Sequence, residues 1–187
     1  MIWCDTRQQA GKHKNIDGWF DAHGVAYEYK KLDFGDYMRD GSNISIDTKR
    51  SVDELAANLG RDHARFAREC ERARDAGYRL VILIEQKQSY QNDMLKLARW
   101  LPYSCKRCEI RFAHECEPRD GDACKAGHRT PMQGATMLKT MKTMNAHYGV
   151  QFRFCGRNDT ARIICETLGE EVPEIGRDAI ADPSGRT

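Results

Sequence analysis

Alternation and helical periodicity divide the chain into a βαββαβ run, an irregular stretch and a closing αβα run. Residues 1–6 read as a short strand, with Ile2 and Cys4 on one face and Trp3 and Asp5 on the other. Over 12–23, Ile16, Trp19, Phe20 and His23 share a helical face, and Gly24 supplies the stop. Strands at 25–32 and 43–50 follow. The second alternates cleanly, Ile44, Ile46 and Thr48 opposite Ser45, Asp47 and Lys49. The segment Arg39 to Asn43 reads as the turn joining them, so the two are expected to run antiparallel.

Ser51, with Glu54 three residues on, reads as a capping box. The helix it opens is expected to run unbroken to Ala76, with Val52, Leu55, Leu59, Phe66 and Cys70 on its apolar face. Leu80 to Ile84 is apolar without alternation, as in a strand covered on both faces. Thr130-Pro131 offers a cap and first residue for a helix to about His147, with Met137, Leu138, Met141 and Met144 inward. Val150, Phe152 and Phe154 then alternate, and a last helix runs from Asp159 or Thr160 to Leu168. This order predicts an α/β fold with a mixed central sheet flanked by helices. Residues 87–130 break the rhythm and read as an insert. Residues 170–187 read as an acidic, flexible tail, leaving 1–169 as the folded domain.

Composition narrows the picture in two places. The formal charge of +2 divides into −3 on the last 18 residues and +5 on the rest. A basic body of this kind is compatible with nucleic acid, although it is no polycation. No apolar run is long enough to span a membrane, and the mean hydropathy is −0.73. Residues 1–15 hold Asp5, Arg7, Lys12 and Lys14 and no apolar stretch, so no signal peptide is expected. A cytoplasmic setting follows, in which eight cysteines are better read as thiols or metal ligands than as disulfides.

Four of those cysteines fall in the insert, in the pattern Cys105-x2-Cys108-x5-His114-x-Cys116-x7-Cys124-x3-His128. Paired Cys/His ligands of this spacing suit a structural Zn²⁺ site, with Cys105, Cys108, Cys124 and His128 as first choice and Cys116 or His114 as alternates. Cys4, Cys70, Cys155 and Cys165 fall on apolar faces and read as core thiols.

The second chemical constellation is Asp36, Asp47 and Lys49. Asp47 and Lys49 lie two apart on a strand and project from one face, where Asp36 can meet them. Adjacent carboxylates repel unless a cation lies between them, and an all-oxygen site suits Mg²⁺ or Mn²⁺. Such an ion can activate water against a phosphate, and the lysine can assist the attack. Arg61, Arg65, Arg68 and Arg72 follow at helical spacing. They form a candidate stripe for DNA phosphates, unless Asp62 and Glu69 pair with them.

Gly35-Asp36-Tyr37, then Asp47-Thr48-Lys49-Arg50-Ser51-Val52-Asp53, resembles the XPF-type (ERCC-type) nucleases of the PD-(D/E)XK superfamily. Asp5-Thr6-Arg7-Gln8 is similar to that family's first-strand motif, and Leu83-Ile84-Glu85 to its "LIE" strand. The resemblance covers 1–86 and roughly 131–168. It implies a restriction-endonuclease-like three-layer core, here carrying a small Cys/His insert. It implies a Mg²⁺-dependent endonuclease acting on DNA in repair or recombination, with branched, flap or junction substrates as candidates. Asp36 and Asp47 would hold the metal, Lys49 would be catalytic, and Asp5, Arg7 and Asp53 would support the site. Asp47 stands where the family has Glu, Thr48 where it has Arg, and Gln8 where it has Glu. After residue 169 only the acidic tail is read, so the helix-hairpin-helix domain of eukaryotic relatives is not expected here. An inactive DNA- or protein-binding module of the same fold, and a nuclease acting on RNA, are the alternatives. A homodimer or a larger nucleic-acid-processing complex would suit so small a module.

Overall fold

A computed structural model of the chain describes residues 1–7, 13–86, 89–109, 124–125 and 132–173. A six-stranded sheet forms its middle layer, in the order β2-β1-β3-β4-β5-β6. The strands are β1 (Ile2–Asp5), β2 (Tyr27–Lys30), β3 (Tyr37–Arg39), β4 (Ile44–Lys49), β5 (Arg79–Ile84) and β6 (Gln151–Phe154). The helices are α1 (Lys14–Ala22), α2 (Val52–Leu59), α3 (His63–Asp75), α4 (Ser89–Asn92), α5 (Tyr103–Lys106), α6 (Gly134–Tyr148) and α7 (Thr160–Leu168). A 3₁₀ turn at Met94–Arg99 follows α4.

The sheet is mixed. β1 pairs in parallel with β2, β4 with β5 and β5 with β6, while β3 runs antiparallel to both β1 and β4. The expected antiparallel partnership of 25–32 with 43–50 is therefore corrected. Strand β2 lies at the sheet edge against β1, and the hairpin is β3–β4, with the turn where the sequence puts it. Three-residue β3 is too short to show an alternation. The α/β three-layer architecture itself stands.

Each sheet face has its own core. On one side α2, α3 and α6 cover Leu80, Ile82 and Ile84. On the other, α1 and α7 cover Ile2, Ile46, Val81 and Leu83. That is why β5 is apolar at successive positions. The long helix expected over 51–76 is two helices. Ser51 caps α2 by accepting Glu54 N–H (3.2 Å), and Gly60 ends it. The chain turns through Gly60–Asp62 before α3 begins, because glycine has little tendency to continue a helix.

The first part of the expected insert belongs to the main core. Tyr90, Leu97 and Trp100 are buried there, and Tyr90 packs edge-on against Phe154. Gly134 opens α6 so close to this segment that a Cβ would fall 1.9 Å from the Leu97 carbonyl oxygen. α6 starts at Gly134 instead of near Pro131.

Candidate active site

The hairpin β3–β4 builds the site. Gly35 precedes it with φ +69°, and a side chain there would clash with Ser45 Oγ at 2.2 Å. This tight entry lets Asp36 N–H bond to the Ile46 carbonyl (2.6 Å), while the Asp36 carbonyl accepts Asp5 N–H (2.9 Å). The Asp36 carboxylate then accepts from Thr48 N–H (2.8 Å) and Thr48 Oγ (2.5 Å). Thr48, which the sequence marks only as a departure from arginine, fixes one of the two acids.

Asp47 and Lys49 sit side by side on β4, both buried as the alternation requires. Lys49 Nζ lies 2.7 Å from both Asp47 oxygens, but only Oδ1 receives it with hydrogen-bond alignment. Burial raises the Asp47 pKa, and Asp36 and Glu69 push it the same way, against the pull of Lys49. Burial works against the Lys49 charge, yet the Asp47 carboxylate outweighs it and raises the lysine's pKa.

These residues line a cleft of about 540 Å³ where the ends of the inner strands meet α3. Asp5 and Arg7 line it too. Asp5 is buried and accepts Arg7 Nε (2.8 Å) and Leu32 N–H (3.3 Å), so it locks the end of β1 to the chain after β2. Arg7 also bonds the Leu32 carbonyl. Asp53 is elsewhere. It does not line the cleft and accepts Tyr103 N–H (3.0 Å) at the start of α5.

Arg65, Arg68 and Arg72 project from α3 into the cleft, exposed and without a carboxylate partner within salt-bridge distance among the described residues. Arg61 does not join them. It lies in the turn before α3, pairs with Asp62 (3.5 Å) and is off the cleft. Glu69 is not an arginine partner either. It accepts Gly35 N–H (3.2 Å) and adds a further carboxylate to the lining. Its spacing of four from Arg65 is the signal that the sequence offers for it. Glu85, the acid of the Leu-Ile-Glu strand end, lines the cleft, and its N–H bonds the Lys49 carbonyl (2.8 Å). His13 also lines it, and nothing in the sequence pattern singles this residue out. Burial lowers the His13 pKa, against the attraction of Asp36, Asp17 and Glu85.

Asp47 Oδ2 is buried without an aligned donor and shares the cleft with Asp36, so the donor set suits a hard cation such as Mg²⁺ or Mn²⁺. Among the described residues no group of three or more acids, histidines or cysteines is placed to hold a metal ion. Mg²⁺ does not need such a group, because it binds through one or two carboxylates with waters and substrate phosphates.

In the insert, Cys105, Cys108 and Cys124 are partly exposed and form no disulfide. His114, Cys116 and His128 lie outside the described residues. The other four thiols are buried as expected. Burial pushes Cys4 and Cys70 up to about 12, and Cys165 to about 11, which keeps them protonated and inert. No helix among the described residues is long and apolar enough to cross a membrane.

A search of curated proteins found no match. Among solved structures, XPF from Aeropyrum pernix in complex with DNA matches with a TM-score of 0.53 at 18% identity, over 89% of this chain and 62% of that one. The chain thus spans less than two thirds of that protein, and the likeness is one of fold. The model of the ERCC4 domain matches residues 4–167, which take in both acids, the lysine, α3 and the whole sheet beyond the first residues of β1. This chain belongs to the ERCC4 domain family of XPF-type nuclease domains.

Proposed function

We propose that the protein is a divalent-metal-dependent endonuclease that hydrolyses phosphodiester bonds in DNA. The observation that carries this reading is the buried Asp47–Lys49 pair beside Asp36, at the floor of a cleft edged by arginines. Asp36 and Asp47 would hold Mg²⁺ or Mn²⁺, which supplies a Lewis acid for the phosphate and lowers the pKa of water. Thr48 keeps the Asp36 carboxylate aimed while Asp47 orients the Lys49 ammonium toward the attacking water or the phosphate. Arg65, Arg68 and Arg72 hold the strand by its phosphates, which carries no sequence information. Asp5 and Arg7 keep the end of β1 in place beneath Asp36. The complex of the Aeropyrum pernix relative with DNA supports DNA as the polymer.

The insert would bind a structural Zn²⁺ through Cys105, Cys108, Cys124 and His128, with Cys116 or His114 in place of one of them. Four protein ligands leave no open position for chemistry.

A cleavage panel of duplex, single-stranded, flap and junction DNA and of RNA, in Mg²⁺ or Mn²⁺, tests the main reading. Wild type is expected to cut at least one DNA form. Asp47→Asn, which keeps the side-chain volume, is expected to lower the rate by at least about 100-fold with its circular dichroism unchanged. Metal-dependent cutting that survives in Asp47→Asn would show the site to be misassigned. Binding without cutting of any substrate would favour the inactive module, which the intact Asp47–Lys49 pair disfavours.

A further inference from the structure

His13 occupies the cleft without a role in the metal or phosphate reading so far. It is the N-cap residue of α1, where its carbonyl accepts Ile16 N–H (2.8 Å) and Asp17 N–H (2.9 Å). Its side chain makes no capping bond. The ring turns instead to Tyr37, with Nδ1 2.6 Å from the phenol oxygen and the two rings edge to face at 5.8 Å. Tyr37 is fully buried and directly follows Asp36.

A buried hydroxyl needs an acceptor for its proton, and a phenol keeps that proton at neutral pH. His13 Nδ1 stands in that place. When Nδ1 accepts, the neutral ring carries its hydrogen on Nε2. With Nδ1 committed to a buried partner, Nε2 is the ring nitrogen left for the cleft that His13 lines. Asp36, Glu85 and Arg50 are its charged neighbours in that lining.

We propose that His13 Nε2–H donates a hydrogen bond to a phosphate oxygen of the bound strand, with Tyr37 holding the tautomer that makes this donor available. The proposal deepens the nuclease reading and rests on it for its effect on rate. Negative charge grows on the phosphate oxygens as the bond breaks, so a fixed donor binds the transition state more tightly than the ground state. His13 keeps its proton throughout, and no bond to hydrogen is made or broken by it. Lys49, held by Asp47, is a separate donor on β4, so His13 adds to its interaction with the phosphate from the α1 side of the cleft.

Long-range nitrogen–proton correlation spectra of the ¹⁵N-histidine-labelled full chain at pH 8 read the tautomer directly. The His13 signals are assigned by their disappearance in His13→Gln. The Nε2–H form is expected, and its Nε2 signal should move when a short DNA duplex is added in EDTA. In single-turnover cleavage, His13→Phe should be about 10- to 100-fold slower than wild type. His13→Gln, which restores a donor, should recover part of that rate, and Tyr37→Phe should mix the tautomers and slow cleavage less. An Nδ1–H ring, an unmoved Nε2 signal at saturating DNA, or His13→Phe cutting within twofold of wild type would overturn the proposal. An Nε2 signal that moves in a protein cutting no substrate would uphold the phosphate interaction and sink the nuclease reading instead.

Discussion

At the scale of single residues, the chemistry depends on a carboxylate that is costly to keep ionised. Asp47 is buried, faces Asp36 and Glu69 across the cleft, and has one close cation, Lys49. Its folded pKa is raised above the unfolded value, so the folded state holds more protons between the two. Its contribution to stability therefore falls as pH rises through that window, by at most about 1.4 kcal/mol per pH unit. A bound divalent cation reverses the penalty, and protons compete with it at Asp47. Mg²⁺ or Mn²⁺ affinity is thus expected to climb between pH 6 and pH 8, approaching tenfold per unit where Asp47 is mostly protonated. Calorimetric titration of the metal at both pH values checks this, and an affinity indifferent to pH would mean that Asp47 is not a ligand. Thr48 shows the complementary device. Two donors from one residue hold Asp36 in place.

At the scale of elements, what the sequence reveals depends on the length of the repeat. Six-residue β4 alternates long enough to show which side chains share a face, and Asp47 and Lys49 do so. Strand β3 has three residues and is set by the Gly35 turn and by pairing on both sides, neither of which has a local signal. The apolar stripe of 51–76 runs on across Gly60, so α2 and α3 share one periodicity in sequence, and Arg61 falls on a stripe that it does not join in space. Motif spacing points Asp53 at the site, but α2 turns it toward α5. Of the predicted stripe, Arg65, Arg68 and Arg72 face the cleft and Arg61 does not, and that difference is measurable. Each phosphate interaction removed should reduce the slope of log affinity against log salt by about 0.9. Arg65→Ala, Arg68→Ala and Arg72→Ala together should lower it by about 2 to 3, with Arg61→Ala leaving it unchanged. Equal effects from Arg61 and the other three would assign the binding to a general positive field.

At the scale of the whole molecule, the segment between β5 and α6 has two parts with different sources of order. Residues 90–100 are held by the framework. Tyr90, Leu97 and Trp100 are buried in the core under α6, and their apolar spacing is too sparse, and partly too 3₁₀, to announce a helix in sequence. Beyond them, α5 is anchored at its start by Asp53, while Lys106 rests 5.7 Å from the centre of the Trp100 ring. Cys105 and Cys108 stand at the end of that anchored turn. A zinc ion held there would therefore order chain beyond a stem that folds without it. The purified protein is expected to carry about one Zn²⁺ per chain by atomic spectrometry. Cys105→Ser with Cys108→Ser should abolish it, and Asp47→Asn should keep it. Because the core residues of this segment do not depend on the thiols, removing zinc should cost the main thermal transition no more than about 4 °C, equivalent to roughly 1 kcal/mol in a chain of this size. A collapse of the whole transition on chelation would instead make the metal a condition of the sheet's folding, and zinc-free wild type with an unchanged melt would reduce the cysteines to plain thiols.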